Sequence, residues 1–181
     1  MSIVLARIDS RLVHGQVLEA WVPYVNADCI VVANNEVAGE SFRRMVMQAA
    51  VPSSIKLIIG TLEETASILV SADLLRKRVL LLFANTDDAL KVRQLGVEYS
   101  KLNLGNMHSG AGKDRYTCTI ALDQQDIEVL RQVEDQGVTI VSQCVPADRE
   151  QSWHKLIKVG GGGDTETGDR KSPLIRRQYP G

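Results

Sequence analysis

The sequence predicts an α/β fold: a single domain with a mostly parallel central sheet and helices on both faces. Three observations carry that prediction. Short apolar runs rich in β-branched residues recur along the chain, segments of helical spacing lie between them, and residues that start or stop helices mark the joints. Regular alternation of this kind calls for β-α-β units joined by right-handed crossovers, and such sheets bind ligands beyond the carboxyl ends of their strands.

Strands are expected at 2–6, 29–33, 56–59, 78–83, 101–104 and 138–144, each too short for a buried helix and bounded by polar residues or glycine. Helices are expected at 15–25, 36–50, 62–71, 87–95, 125–136 and 149–158. Thr61 stands before Glu63 and Glu64, Thr86 before Asp87 and Asp88, and Asp123 before Gln124, Gln125 and Asp126, each able to accept from the free N–H groups of a first turn. Gly96 and Gly137 follow helical segments where a left-handed residue is wanted, and each leads into a β-branched run. The polar segment from Met107 to Cys118 breaks the rhythm and reads as a loop, ending in a short edge strand at 116–120. Four successive glycines begin at Gly160, so the domain is set at 1–159 and 160–181 is expected to be a flexible tail.

At 181 residues and 19.9 kDa the chain suffices for one apolar core. It is 44% hydrophobic with 21 basic and 22 acidic residues, which argues against disorder and against a nucleic-acid partner. No apolar run approaches a membrane span and the N-terminus lacks a signal-peptide pattern, so the chain is expected to be cytoplasmic. Cys29, Cys118 and Cys144 lie far apart, without CxxC spacing, and read as small apolar residues, neither a disulfide framework nor a zinc site. No GxGxxG follows the first strand, and GGGGD lacks the Lys-Ser/Thr of a phosphate loop, which leaves a nucleotide-binding enzyme a poor fit.

The strongest chemical constellation is Arg7-Ile8-Asp9-Ser10-Arg11-Leu12-Val13-His14-Gly15-Gln16, between the first strand and the first helix. A phosphoryl group entering there would meet the positive end of a helix, the backbone N–H groups near Gly15 and Gln16, and the guanidinium groups of Arg7 and Arg11. His14 offers a nitrogen nucleophile. Asp9 fits a supporting role, because a carboxylate placed on the phosphate would repel it. Nothing here requires a metal or a cofactor. On these residues alone, His14 serves equally well as an ordinary helix N-terminal residue between two solvated arginines.

The segment RIDSRLVHGQV resembles the active-site segment of IIB proteins in the mannose/fructose/sorbose family of the phosphotransferase system, and the likeness extends through NADCIVVANNEVAGESFRRMVMQAAVPSSIKL, RVLLLFANTDDAL, LNLGNMHSGAGK and DQQDIEVLRQVEDQGVTIVSQCVP. The resemblance implies a protein-N(π)-phosphohistidine–sugar phosphotransferase. In that activity His14 accepts a phosphoryl group from a phosphohistidine of a IIA domain and passes it to a sugar carried by the membrane components IIC and IID. Arg7, Asp9, Arg11, Gly15 and Gln16 match the positions that handle the phosphate. Ser10 stands where the family often has a second acidic residue, and the tail from Gly160 departs from the family pattern. A regulatory phosphoprotein uncoupled from transport is the alternative within the same resemblance.

His108, in a loop expected at the same sheet edge as His14, is a candidate second phosphate ligand, and Lys113 and Arg115 are candidates for contacting an acidic partner, each weighed against an ordinary solvated residue. His154 beside Trp153 reads as a packing or dipole-facing group, and Trp21 and Tyr24 as partly core. Apolar helix faces fit a core and a homodimer interface equally.

Overall fold

The computed structural model describes residues 2–71, 74 and 76–160. Its main sheet has seven strands in the order β3-β2-β4-β1-β5-β8-β9, where β1 is Ser2–Asp9, β2 Cys29–Ala33, β3 Lys56–Gly60, β4 Arg78–Phe83, β5 Lys101–Asn106, β8 Thr139–Ser142 and β9 Gln151–Ser152. Every neighbouring pair is parallel except β8 with β9. Two short strands, β6 (Asp114–Arg115) and β7 (Ala121–Leu122), pair antiparallel beside it.

The inner strands β2 and β4 are apolar on both faces because helices cover both faces. On one face, Leu12, Trp21, Val37 and Met47 pack on Leu5, Ile30, Val32, Leu80 and Leu82. Leu12 lies on the loop before α1, and the other three come from α1, a π-helical stretch Val17–Trp21 followed by an α-helical turn Val22–Tyr24, and from α2 (Asn35–Gly39) and α3 (Ser41–Ala50). On the other face, α4 (Leu62–Val70), α5 (Thr86–Gln94), α6 (Gln124–Asp135) and α7 (Trp153–Gly160) lie over Ile8, Val31, Leu81 and Phe83. The chain moves from β1 toward β3 on the first face and returns through β4 to β5 and β8 on the second. The adjacent strands β1 and β5 therefore send their following connections in opposite directions, which opens a crevice at their carboxyl ends.

Most local expectations hold. Thr61 and Asp123 form capping boxes with Glu64 and Asp126, and Gly96 (φ 92°) and Gly137 (φ 83°) adopt the left-handed conformation after their helices. Four differ. The cap of α5 is Asn85, whose side chain accepts from the Asp88 N–H at 2.8 Å, while the Thr86 hydroxyl turns to Asp126. The helix expected at 36–50 is two, because Glu40 is extended (φ −98°, ψ 93°) and ends the short turn capped by Asn34. The last helix starts at Trp153, since Gln151 and Ser152 pair with β8 as an edge strand. The strand expected at 116–120 is replaced by the β6–β7 pair on either side of a tight turn, in which Tyr116 N–H bonds to the Ile120 carbonyl. Of the expected tail at 160–181, Gly160 closes α7 and 161–181 lies outside the described residues.

Candidate functional site

Strand alternation delivers the first two site residues. Ala6 and Ile8 belong to the α5-side core and Leu5 to the α1-side core, so Arg7 and Asp9 also face α1, at the carboxyl end of β1. Both are fully buried. A buried guanidinium is tolerated only when its donors are met, and all five N–H groups of Arg7 have acceptors. Nε and Nη2 donate to Asp9 Oδ2 at 3.2 and 2.9 Å, Nη1 to Asn103 Oδ1 and to the Gln143 carbonyl, and Nη2 also to the Cys144 carbonyl at 3.2 Å. The guanidinium lies over the Trp21 ring, Cζ 4.7 Å from its centroid. Gly105 on β5 makes the room, because a Cβ there would sit 1.9 Å from Arg7 Cζ.

Asp9 thus has one oxygen fixed by Arg7, while its other oxygen accepts from the Arg11 backbone N–H at 3.2 Å. The same Oδ2 lies 3.1 Å from His14 Nε2, within ion-pair reach but off the line of a hydrogen bond. Burial pushes the Asp9 carboxyl up, but His14 and Arg7 outweigh it and hold the group below the ordinary carboxylate value. Burial lowers the Arg7 guanidinium, and Asp9 offsets part of that shift. The connecting loop is tight. Ser10 N–H bonds to the Asn106 carbonyl on β5, Leu12 N–H bonds to the Asp9 carbonyl, and Leu12 takes a left-handed φ of 54° while fully buried. Such backbone is costly for a side-chain-bearing residue and clusters at functional sites.

Among the described residues, the buried side-chain polar atoms without a hydrogen-bond partner are Ser10 Oγ and the two ring nitrogens of His14. Native proteins leave few such atoms, and here all three fall on one loop at the crevice. His14 keeps 9% of its side chain exposed, Arg11 is exposed without an ion pair among the described residues, and Gly15 opens to solvent, where a Cβ would meet nothing nearer than Glu19 Oε1 at 3.9 Å. Gln16 Nε2 points to Cys144 Sγ at 3.8 Å. The loop therefore presents a nucleophile, a free guanidinium and the opening turn of a helix, with Asp9 behind them. Arg7, expected beside the phosphate, has no N–H left for it and instead holds Asp9.

The other sequence candidates scatter. His108 is exposed just past β5, next to β1, in a polar hollow of 170 Å³ that Arg115 and Thr117 also line. Lys113 is tied back to Asp126 at 2.5 Å and to Asp123 at 3.7 Å, while Arg115 is exposed. His154 and Trp153 Nε1 both meet Glu134 Oε1, so this histidine belongs to the α6–α7 contact. Trp21 is buried and Tyr24 is 61% exposed. Of the cysteines only Cys29 is buried; Cys118 is exposed, because it falls in the turn between β6 and β7. No cluster of metal-ligating side chains occurs among the described residues, and none of their helices is long and apolar enough to cross a membrane. Sequence reasoning missed Asn103 and Gly105. Their one signal was a polar residue and a glycine inside the apolar strand run KLNLGN. The carbonyls of Gln143 and Cys144 left no signal at all.

Comparison with known proteins returns one consistent description. Residues 3–166 match the family model described as PTS system sorbose subfamily IIB component. The sorbose-specific EIIB component of Klebsiella pneumoniae is 34% identical over 148 residues, 82% of this chain and 90% of that protein. The N-acetylgalactosamine-specific phosphotransferase enzyme IIB component 2 of Escherichia coli (strain K12) is 34% identical over 157 residues, 86% of this chain and 99% of that protein. The crystal structure of the IIBSor domain of the Klebsiella pneumoniae sorbose permease superposes with a TM-score of 0.84 at 33% identity, over 88% of this chain and 98% of that one.

Proposed function

The chain belongs to the sorbose subfamily of phosphotransferase-system IIB components, which work with IIA and membrane IIC and IID partners in phosphoryl transfer to sugars, and from that premise we propose that His14 is the phosphoryl acceptor. The observation that carries this reading is the buried, unpartnered Nδ1 of His14, on a ring whose Nε2 lies 3.1 Å from Asp9, in the loop at the crevice between β1 and β5.

The geometry supports Nδ1 as the attacking atom. Nε2 faces the Asp9 carboxylate, where a proton is favoured and a lone pair is not, so the neutral ring keeps its lone pair on Nδ1. Nδ1 attacks the phosphorus of a phosphohistidine on a IIA domain. The P–N bond of the donor breaks and its electron pair returns to the donor ring. The His14 ring becomes cationic, and Asp9, already ionised at neutral pH, stabilises that charge without moving. Arg11 is free to cover the equatorial phosphoryl oxygens, and the helix start at Gly15 and Gln16 adds backbone N–H groups. In the second step a sugar hydroxyl presented by IIC and IID attacks phosphorus and the P–Nδ1 bond breaks. The protein works in the cytoplasm at the inner face of that membrane complex.

The test is incubation with phosphoenolpyruvate, the general phosphotransferase proteins and a IIA partner, read by intact mass. The expected result is one acid-labile phosphoryl adduct on the wild type and none on His14→Ala. An equal adduct on the variant overturns the assignment.

A further inference from the structure

We infer that β5, a strand away from the nucleophile, selects which nitrogen of His14 reacts: Asn103 and Gly105 are positioning residues that act through Arg7 and Asp9. The inference rests on the reading of His14 as phosphoryl acceptor and deepens it.

No left-handed φ calls for a glycine at 105. The residue sits at a register shift in the β1–β5 pairing, where Ile8 pairs with Leu104 and Asp9 with Asn106. What it lacks is a side chain, and the space a side chain would take is filled by a guanidinium: Cζ, Nη2 and Nη1 of Arg7 would lie 1.9, 2.0 and 2.3 Å from an added Cβ. No small adjustment relieves contacts that short. The far side of the guanidinium is closed by the Trp21 ring, and its edges are closed by Asp9, Asn103 and the Gln143 and Cys144 carbonyls. Arg7 has one resting place, and that place sets the Asp9 oxygen shared between Arg7 Nη2 (2.9 Å) and His14 Nε2 (3.1 Å).

The chain of constraint is therefore short and physical. An alanine at 105 must expel the guanidinium. An expelled guanidinium releases Asp9 Oδ2, and a released Asp9 no longer holds a proton at Nε2. Asn103 is the second hold on Arg7 from the same strand, meeting Nη1 from the side opposite Asp9. Without the carboxylate in place both ring nitrogens become competent, because neither has another hydrogen-bond partner.

The decisive experiment is the regiochemistry of phosphorylation by phosphoramidate, a small donor that imposes no docking geometry. Phosphorus and nitrogen NMR separate Nδ1-phosphohistidine from the Nε2 isomer. The wild type is expected to give Nδ1 over Nε2 by more than about ten to one, the ratio that about 1.4 kcal/mol would produce. Gly105→Ala and Asn103→Ser are expected to lower that ratio at least about fivefold while retaining cooperative urea unfolding. Asn103→Ser, which adds no bulk, decides the matter if Gly105→Ala does not fold. A folded variant with the wild-type ratio overturns the inference. Failure of the IIA-dependent reaction at His14 with a changed phosphoramidate ratio would instead overturn the proposed function and leave the positioning role standing.

Discussion

Arg7 and Trp21 share an acceptor: the Cys144 carbonyl receives Nη2 of the arginine and Nε1 of the tryptophan, both at 3.2 Å, while the guanidinium lies 4.7 Å above the indole centroid. The tryptophan is thus the lid of the Arg7 cage. Trp21→Phe keeps a ring over the guanidinium and loses one hydrogen bond, so it should cost about 1 kcal/mol. Trp21→Ala removes the ring and should cost about 3–5 kcal/mol. Urea unfolding of the two variants checks the difference.

Asp9→Asn leaves a buried guanidinium without its counter-charge and should destabilise the fold by about 3–5 kcal/mol at pH 7. The pH dependence has a definite sign. The folded-state carboxyl lies below its ordinary value, so the unfolded chain binds the proton first as pH falls. The stability contributed by ionised Asp9 is complete above the ordinary carboxylate range, begins to fall below about pH 4 and is gone below the folded-state value. Urea midpoints of wild type and variant should differ at pH 7 and converge in strong acid.

Arg11→Lys keeps the charge of an exposed side chain and loses the planar fork that, in the proposed function, covers two phosphoryl oxygens. Phosphoryl transfer from IIA should slow by roughly ten- to a hundredfold with unfolding unchanged, a range set by one charge-assisted hydrogen bond. Rapid-quench measurement of phosphorylated protein gives the rate, and a wild-type value would show that Arg11 stays clear of the phosphate.

The loop that carries His108 is anchored by Lys113, whose ammonium meets Asp126 at 2.5 Å. The lysine is partly exposed, so Lys113→Ala should cost no more than about 1 kcal/mol. Asp126 is buried, accepts from the Thr86 hydroxyl and completes a capping box, so Asp126→Ala should cost more, roughly 1–3 kcal/mol. Hydrogen exchange in residues 107–118 should rise in both variants.

The sheet and its helices were legible because burial on both faces leaves an unbroken apolar run and because Thr61, Asp123, Gly96 and Gly137 mark helix ends through local geometry. The His14 loop was legible for a similar reason, since its polar residues lie together in the chain. The cage around Arg7 was not legible because it depends on partners 96 to 137 positions away, two of them backbone carbonyls that carry no residue identity. The start of the last helix was missed at Gln151 and Ser152 because an edge strand of two residues has no period to read.

The cage around Arg7 also dates the site within folding. It draws on β1, β5 and the turn after β8, so it cannot close until a chain end to end through Cys144 has collapsed, and contacts so distant in sequence form late. A nascent or clipped chain lacking that turn leaves two N–H groups of Arg7 without their carbonyl acceptors and Arg7 less firmly placed against Asp9. On the proposed reading of His14 as phosphoryl acceptor, only the finished molecule directs the reaction to one ring nitrogen, which makes that selectivity a readout of completed folding.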